Sequence, residues 1–283
     1  MLHTFHRLTP HVYWLSPEST TDRPLLGVIA GAHATLIVDA GNSPAHAHVL
    51  LEHIAAARLP APRYLVITHW HWDHWFGAAA CNLPTIAHIA TQRILAAQTT
   101  WDWSDAALDA RVAAGTEIAF CSEMLKAELP ERSQLVLRAP DIAFDGEVEI
   151  DLGGVTCRLI HVGGDHAADS IVVQVLEEKV VFLSDCRYDD IYATPRRYTT
   201  AKAFPLFDRL LALDAELYFG GHEPAPITRL ALEAEARRLR QAGESVARIG
   251  ADRDAVLAAL GQQFGQPLDA ELVEFAELFL AGR

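Results

Sequence analysis

The order of strand and helix signals predicts an α/β or α+β fold in which helices cover the sheets. Two observations carry that expectation. Short β-branched runs ending at glycines fall into two groups, and each group is accompanied by helical segments. A long Ala-rich stretch without strand signals separates the groups, and a helical tail follows the second. With 283 residues, 51% hydrophobic and 21% charged, the chain can bury a core of one large domain, or of one domain with an appendage.

The elements follow in order. "GVIAG" and "ATLIVDAG" are strand-length runs broken at Gly31 and Gly41. In "SPAHAHVLLEHIAAARL", Ser43 is placed to cap a helix, Pro44 suits its first turn, and apolar residues then recur at helical spacing. "RYLVITH" is apolar throughout, as in a strand covered on both faces. From Thr91 to Lys126 the texture is helical. Strands resume in "VEIDLGGVTCRLIHV", where Gly153-Gly154 marks a hairpin turn, and in "SIVVQVLEEKVVFLSDC", with a turn at 177–179. "AELYFGGH" reads as the last strand, and everything beyond Pro226 reads as helix.

Composition excludes several classes. A net charge of −14 without a Lys/Arg block argues against nucleic acid as a partner. No apolar run reaches the roughly 18 residues of a membrane span, and the start lacks the pattern of a secretory signal. Cys81, Cys121, Cys157 and Cys186 lack CxxC spacing and read as buried thiols of a reducing compartment, so the expected location is cytoplasmic.

"THWHWDHWFG" carries the chemistry. His69, His71, Asp73 and His74 form H-x-H-x-D-H at the end of an apolar strand. Residues two apart in an extended segment share a face, so His69 and His71 can reach one ion. Once the chain turns, Asp73 and His74 can reach another. Imidazole and carboxylate are the ligands that zinc and similar divalent ions take. Trp70 and Trp72 alternate with the histidines and read as packing behind the metal loop, while Trp101 and Trp103 read as a hydrophobic lid.

This motif resembles that of the metallo-β-lactamase-fold hydrolases, a group that includes glyoxalase II enzymes, acyl-homoserine lactonases and RNase Z. Downstream, "GGDHAADS" resembles the family's G-x-H-x-x-x-S turn and offers His166; His161, inside "RLIHV", is the less suitable rival. "VVFLSDC" ends in Asp185, "YFGGHEP" supplies His222, and "LIVDAG" supplies Asp39 as a support for the metal loop, with Asp165 a second candidate support. The resemblance spans residues 10 to 226. It implies a four-layer αββα sandwich: a catalytic domain over 1–225 with a helical cap insertion at about 91–130, and a helical extension over 226–283. It implies two divalent ions, zinc first and iron or manganese as alternatives. One would be held by His69, His71 and His166, the other by Asp73, His74 and His222, with Asp185 bridging.

The activity so implied is hydrolysis of a small ester, lactone or thioester by a hydroxide shared between the ions, with Asp73 also handling a proton. The lactonases and glyoxalase II are the nearest branch. Lactonases place a tyrosine three residues after the bridging Asp; here it is Tyr188. Arg187, Arg196 and Arg197 are candidates to hold a substrate carboxylate, and Cys186 reads as packing. The same motif occurs in iron-dependent sulfur dioxygenases, which gives an alternative. A β-lactamase-type amidase is disfavoured because those enzymes lack the bridging Asp. The expected partner is a small-molecule substrate, with no nucleic acid and no membrane. The apolar positions Leu272, Phe275 and Leu278 suit either packing on the core or a homodimer.

Overall fold

The computed structural model describes residues 3–283. A first sheet holds β1 (Phe5–Arg7), β2 (Val12–Leu15), β3 (Leu26–Ala30), β4 (Thr35–Val38), β5 (Pro62–Ile67), β6 (Thr85–His88) and β7 (Ile142–Phe144) in sequential order. Its pairings are antiparallel as far as β4 and parallel from β4 to β7. A second sheet runs β13 (Ile227–Thr228), β12 (Leu217–Gly220), β11 (Val180–Ser184), β10 (Ile171–Val175), β9 (Thr156–His161) and β8 (Glu147–Asp151). Only the β11–β12 pairing in this sheet is parallel, among the described residues. On the first sheet's side lie α1 (Pro44–Ala56), α2 (Trp72–Trp75), α3 (Ala78–Cys81), α4 (Ile89–Gln98), α5 (Asp105–Ala113) and α6 (Ala119–Glu128). The second sheet is covered by α7 (Thr200–Ala212), α8 (Arg229–Ile249), α9 (Arg253–Phe264) and α10 (Ala270–Ala281).

Strand alternation builds the layers. Ile29, Leu36, Val38 and Val66 point inward to meet Cys157, Val173, Val180 and Phe182 of the second sheet. Their neighbours Val28, Ile37, Leu65 and Ile67 point outward, onto a core shared with Leu50 of α1, Leu95 of α4 and Leu125 of α6. Val181 and Leu183 point out on the other side, onto Leu206, Phe207 and Leu210 of α7 and the last three helices. Residues 36–38, 65–67 and 180–183 are therefore apolar on both faces, because helices cover the outer one. This is the four-layer αββα arrangement.

Several local expectations are met. Ser43 caps α1, its side chain accepting from His46 N at 3.0 Å. Gly153 and Gly154 take positive φ at the β8–β9 turn, where side-chain-bearing residues would be strained. The four cysteines are free and buried. Cys186 sits in the helix-covered core of the second sheet. Leu272, Phe275 and Leu278 are buried in that same core, so the tail packs on the sandwich.

Other elements depart from expectation. "AELYFGGH" is not the last strand, because Ile227–Thr228 adds an edge pairing to β12 before α8 begins. Strands β1, β2, β6 and β7 were not foreseen; each has only three or four residues, and β1, β2 and β6, unlike β4 and β12, do not end at a glycine turn. Nor was α7, which carries Pro205 inside it, a residue that reads as a helix breaker.

Candidate metal centre

Every group in the cluster hangs from the C-terminal end of a strand, at one edge of the sandwich. After β5 the chain bends at His69 and Trp70 and is extended again at His71, and both His69 and His71 join one ligand set. It then folds into the single turn of α2, which carries Asp73 and His74. His166 lies in the loop after β9, beyond Gly163 and Gly164, both at positive φ. Asp185 follows β11 and His222 follows β12. Gly221 before it admits Asp185 closely, since a Cβ there would lie 1.8 Å from Asp185 Oδ1.

Asp185 Oδ2 is the hub. It lies 3.9 Å from His69 Nε2, 3.5 Å from His166 Nε2, 3.3 Å from His74 Nε2 and 3.5 Å from His222 Nε2. Asp73 Oδ2 lies 3.0 Å from His74 Nε2 and 3.3 Å from His222 Nε2. The groups fall into two sets, His69–His71–His166–Asp185 and Asp73–His74–His222–Asp185, each with ligand atoms within 4.8 Å of one another. Metal–ligand bonds of about 2.1 Å in a tetrahedron put neighbouring ligand atoms about 3.4 Å apart, which is the spacing seen here. Nε2 of His69, His71, His74 and His166, and Oδ1 of Asp185, are buried without a hydrogen-bond partner among the described residues. Orphaned polar atoms converging at that spacing fit divalent cations.

The outer partners aim the rings. Asp39, at φ +63° just past β4, accepts from His74 Nδ1 at 2.8 Å, Thr68 N at 2.8 Å, Thr68 Oγ1 at 2.9 Å and Ser184 Oγ at 3.1 Å. His166 Nδ1 faces the Asp189 carbonyl at 3.2 Å, and His69 Nδ1 faces Thr68 Oγ1 at 3.1 Å. With Nδ1 so engaged, Nε2 is left to face inward. Asp165 has no part in this: its carboxylate accepts from Thr199 N and Oγ1, at the start of α7. His161 stacks on His88 with centroids 3.9 Å apart, and it is His166 that joins the cluster.

Electrostatics divide the cluster. Burial, reinforced by neighbouring imidazoles, holds His69 and His71 well below the ordinary imidazole range, so both are neutral donors. Burial acts the same way on His74, but Asp73, Asp185 and Asp39 outweigh it and raise its pKa well above that range. For His222, Asp185 and Asp73 do the same. Against burial, His222 and His74 hold Asp185 well below the carboxylate range, and His74 and His222 act likewise on Asp73. Two carboxylates thus face two imidazoles that hold protons, and a metal cation would take the place of those protons.

Around it, sequence and structure agree unevenly. Trp72 packs against Phe76 and Trp75 is fully buried, as a stiffened loop requires. Trp70 does not face away: its ring meets His71 edge-on at 4.4 Å and lies 5.2 Å from Tyr192. Trp103 packs on Phe76 beneath Arg111, and with Trp101 it lines a groove of about 720 Å³ whose walls include none of the ligands, so the pair is not a lid over the centre. Tyr188 lies edge-on to His166 at 5.8 Å, and its hydroxyl donates to Glu223 Oε1 at 2.7 Å. The three arginines are already paired: Arg187 with Glu223 and Glu235, Arg196 with Asp189, Arg197 with Asp190.

Sequence reasoning missed Asp22, whose Oδ1 lies 3.5 Å from His222 Nδ1; burial, with Asp73 and Asp185 nearby, pushes its pKa up to about 7. It also missed Tyr192, 5.4 Å from His71 with its hydroxyl donating to Glu117 at 3.0 Å. Neither belongs to a motif; positive φ at Asp22 shows only in the structure.

Comparison with known proteins places these features. The family model described as the metallo-beta-lactamase superfamily matches residues 24–222. No curated protein matches the chain in sequence. Among solved structures, the chain is similar to a metallo-beta-lactamase from Pontibacter korlensis, at 17% identity and a TM-score of 0.58, over 83% of this chain and 97% of that one. It is similar to the DIM-1 metallo-beta-lactamase at 14% identity and a TM-score of 0.58, over 84% of this chain and 98% of that one. A metallo beta lactamase from Erythrobacter litoralis gives 18% identity and a TM-score of 0.52, over 82% and 93%. At such identities the structural likeness speaks for the fold. No helix among the described residues is long and apolar enough to cross a membrane.

Proposed function

Because the chain belongs to the metallo-beta-lactamase superfamily, a family of metallohydrolases, we propose that it is a dinuclear hydrolase of a small ester, lactone or thioester. The observation that supports this is Asp185: one carboxylate oxygen within 3.3–3.9 Å of four imidazole nitrogens that belong to two ligand sets. His69, His71 and His166 would hold one ion, Asp73, His74 and His222 the other, and Asp185 both. Zinc is the proposed metal, since its preference for imidazole and carboxylate in a tetrahedron matches the donors. When bound, such a pair lowers the pKa of a shared water towards neutrality and polarises the attacked carbonyl.

The remaining chemistry belongs to the chain. Asp39 fixes the His74 tautomer, and the Asp189 carbonyl does the same for His166. Asp73, held as an anion beside His74 and His222, is oriented to take a proton from the nucleophile or deliver it to the leaving oxygen. Trp70 and Tyr192 form an apolar wall against His71. Tyr188 is the proposed donor to the substrate carbonyl, reached by exchanging its bond to Glu223 for one to the developing oxyanion. Asp185 favours the ester- and lactone-cleaving branch over β-lactam hydrolysis. The test is a panel of lactones, thioesters and β-lactams assayed with zinc, manganese and iron. Turnover of a lactone or thioester that chelation abolishes and zinc restores is expected. Oxygen uptake with a glutathione persulfide and iron, without ester hydrolysis, would overturn the proposal in favour of a dioxygenase.

A further inference from the structure

The loop between β2 and β3 carries Asp22 to the second ligand set. Asp22 takes φ +59°, a left-handed conformation that costs a side-chain-bearing residue energy unless its surroundings enforce it. Two attachments enforce it. Leu25 N donates to Gly221 O at 2.6 Å, which joins the loop directly to the residue before His222. Glu128, the last residue of α6, grips the other side: Arg23 Nη2 donates to its Oε1 at 2.7 Å, and the hydroxyls of Thr21 and Ser43 donate as well. Its side chain is only 4% exposed, and the loop is further tied by Asn42 Nδ2 donating to Thr21 O at 2.7 Å. A buried carboxylate with this many donors is a fixed anchor rather than a solvated surface charge.

What the anchored loop delivers is one oxygen. Asp22 Oδ1 stands 3.5 Å from His222 Nδ1, on the side of the ring opposite the Nε2 that faces Asp73 and Asp185. Asp39 occupies the equivalent place behind His74. A carboxylate behind a ligating imidazole orients the ring and makes its inner nitrogen a stronger donor. His222 needs this most, since its side chain is 29% exposed while the other cluster imidazoles, His69, His71, His74 and His166, are buried.

We propose that Asp22 is the positioning residue of His222 and that Glu128 holds it there, so that the helical insertion sets how tightly the Asp73–His74–His222 group retains its ion. This rests on the dinuclear reading above. Asp22 precedes the stretch matched by the family model, which begins at residue 24.

Zinc stoichiometry and stepwise affinity, measured on the full chain by competition with a chromophoric chelator, test the idea without reference to turnover. Asp22→Asn suits the backbone, because asparagine tolerates positive φ at least as well as aspartate. The expected result is two zinc ions per wild-type chain, with one of the two bound about 10–100-fold more weakly in Asp22→Asn. Glu128→Gln should weaken the same ion by a smaller factor. The double variant should be no weaker than Asp22→Asn alone, as non-additivity requires if Glu128 acts through Asp22. Asp22→Glu should recover part of the loss, which a purely structural role would not give. Unchanged affinities in Asp22→Asn, or equal weakening of both ions, overturns the inference while leaving the dinuclear reading intact. Fewer than two ions on the wild-type chain overturns both.

Discussion

Asp39→Ala is the substitution whose consequences the structure defines most fully. Four donors converge on this one buried carboxylate: Thr68 N, Thr68 Oγ1, Ser184 Oγ and His74 Nδ1. After its removal, Thr68 Oγ1 and Ser184 Oγ, 2.9 Å apart, still satisfy each other. His74 Nδ1 keeps only Ser184 Oγ, at 3.3 Å, and Thr68 N is stranded, which costs about 1–3 kcal/mol. Alanine at φ +63° adds about 1 kcal/mol that aspartate tolerates better. The sum is about 2–4 kcal/mol, or a fall in Tm on the order of 5–10 °C for a chain of this size. The imidazole of His74 is then held from behind only by that longer contact, so zinc at the Asp73–His74–His222 group should weaken by about 10–100-fold. Asn at the same position keeps one acceptor and the backbone conformation, and should cost about 1–2 kcal/mol. Calorimetry of the metal-free protein and a zinc titration read the two effects separately. Unchanged Tm and zinc affinity in Asp39→Ala would refute the reasoning.

Three further outcomes are expected. Gly221→Ala places a Cβ 1.8 Å from Asp185 Oδ1, so it should displace that carboxylate and cut both metal occupancy and turnover at least tenfold, read by metal analysis alongside kcat. Asp169, buried with both carboxylate oxygens unpartnered, has its pKa pushed up to about 6, chiefly by burial. Between about pH 4 and 6 the folded chain therefore holds a proton the unfolded chain has lost, and stability falls as pH rises through that window, by about 3 kcal/mol in all. Asp169→Asn should abolish this slope in denaturant unfolding at pH 4–7, and a slope equal to wild type would count against it. Tyr188→Phe should lower kcat about tenfold or more with KM little changed; full activity would leave its hydroxyl only the structural bond to Glu223.

The reach of the sequence can be judged from particular residues. His69 through His74 declared themselves because metal chemistry needs those side chains at that spacing, and Asp185 and His222 because each closes an apolar strand. The sandwich was legible where strands are five or six residues long and covered on both faces, as in β5 and β11. β6 was not: unlike the four-residue β4 and β12, which run into glycines, Thr85–His88 runs straight into α4 with nothing to mark its end. The roles of Asp22, Glu128 and Glu223 depend on contacts over 200, 105 and 36 positions along the chain, from Asp22 to His222, Arg23 to Glu128 and Arg187 to Glu223. Nothing local in the sequence signals such pairs. The arginines after Asp185 show the converse: their charge invited a substrate, and the fold spends it on neighbouring carboxylates.

The central claim is that seven side chains hold two ions through one shared carboxylate. A crystal structure of the zinc-loaded protein, with anomalous scattering recorded on both sides of the zinc edge, tests it directly. The account predicts two zinc peaks, one among His69, His71 and His166 and one among Asp73, His74 and His222, with Asp185 contacting both. A single peak, or zinc bound away from Asp185, would contradict it.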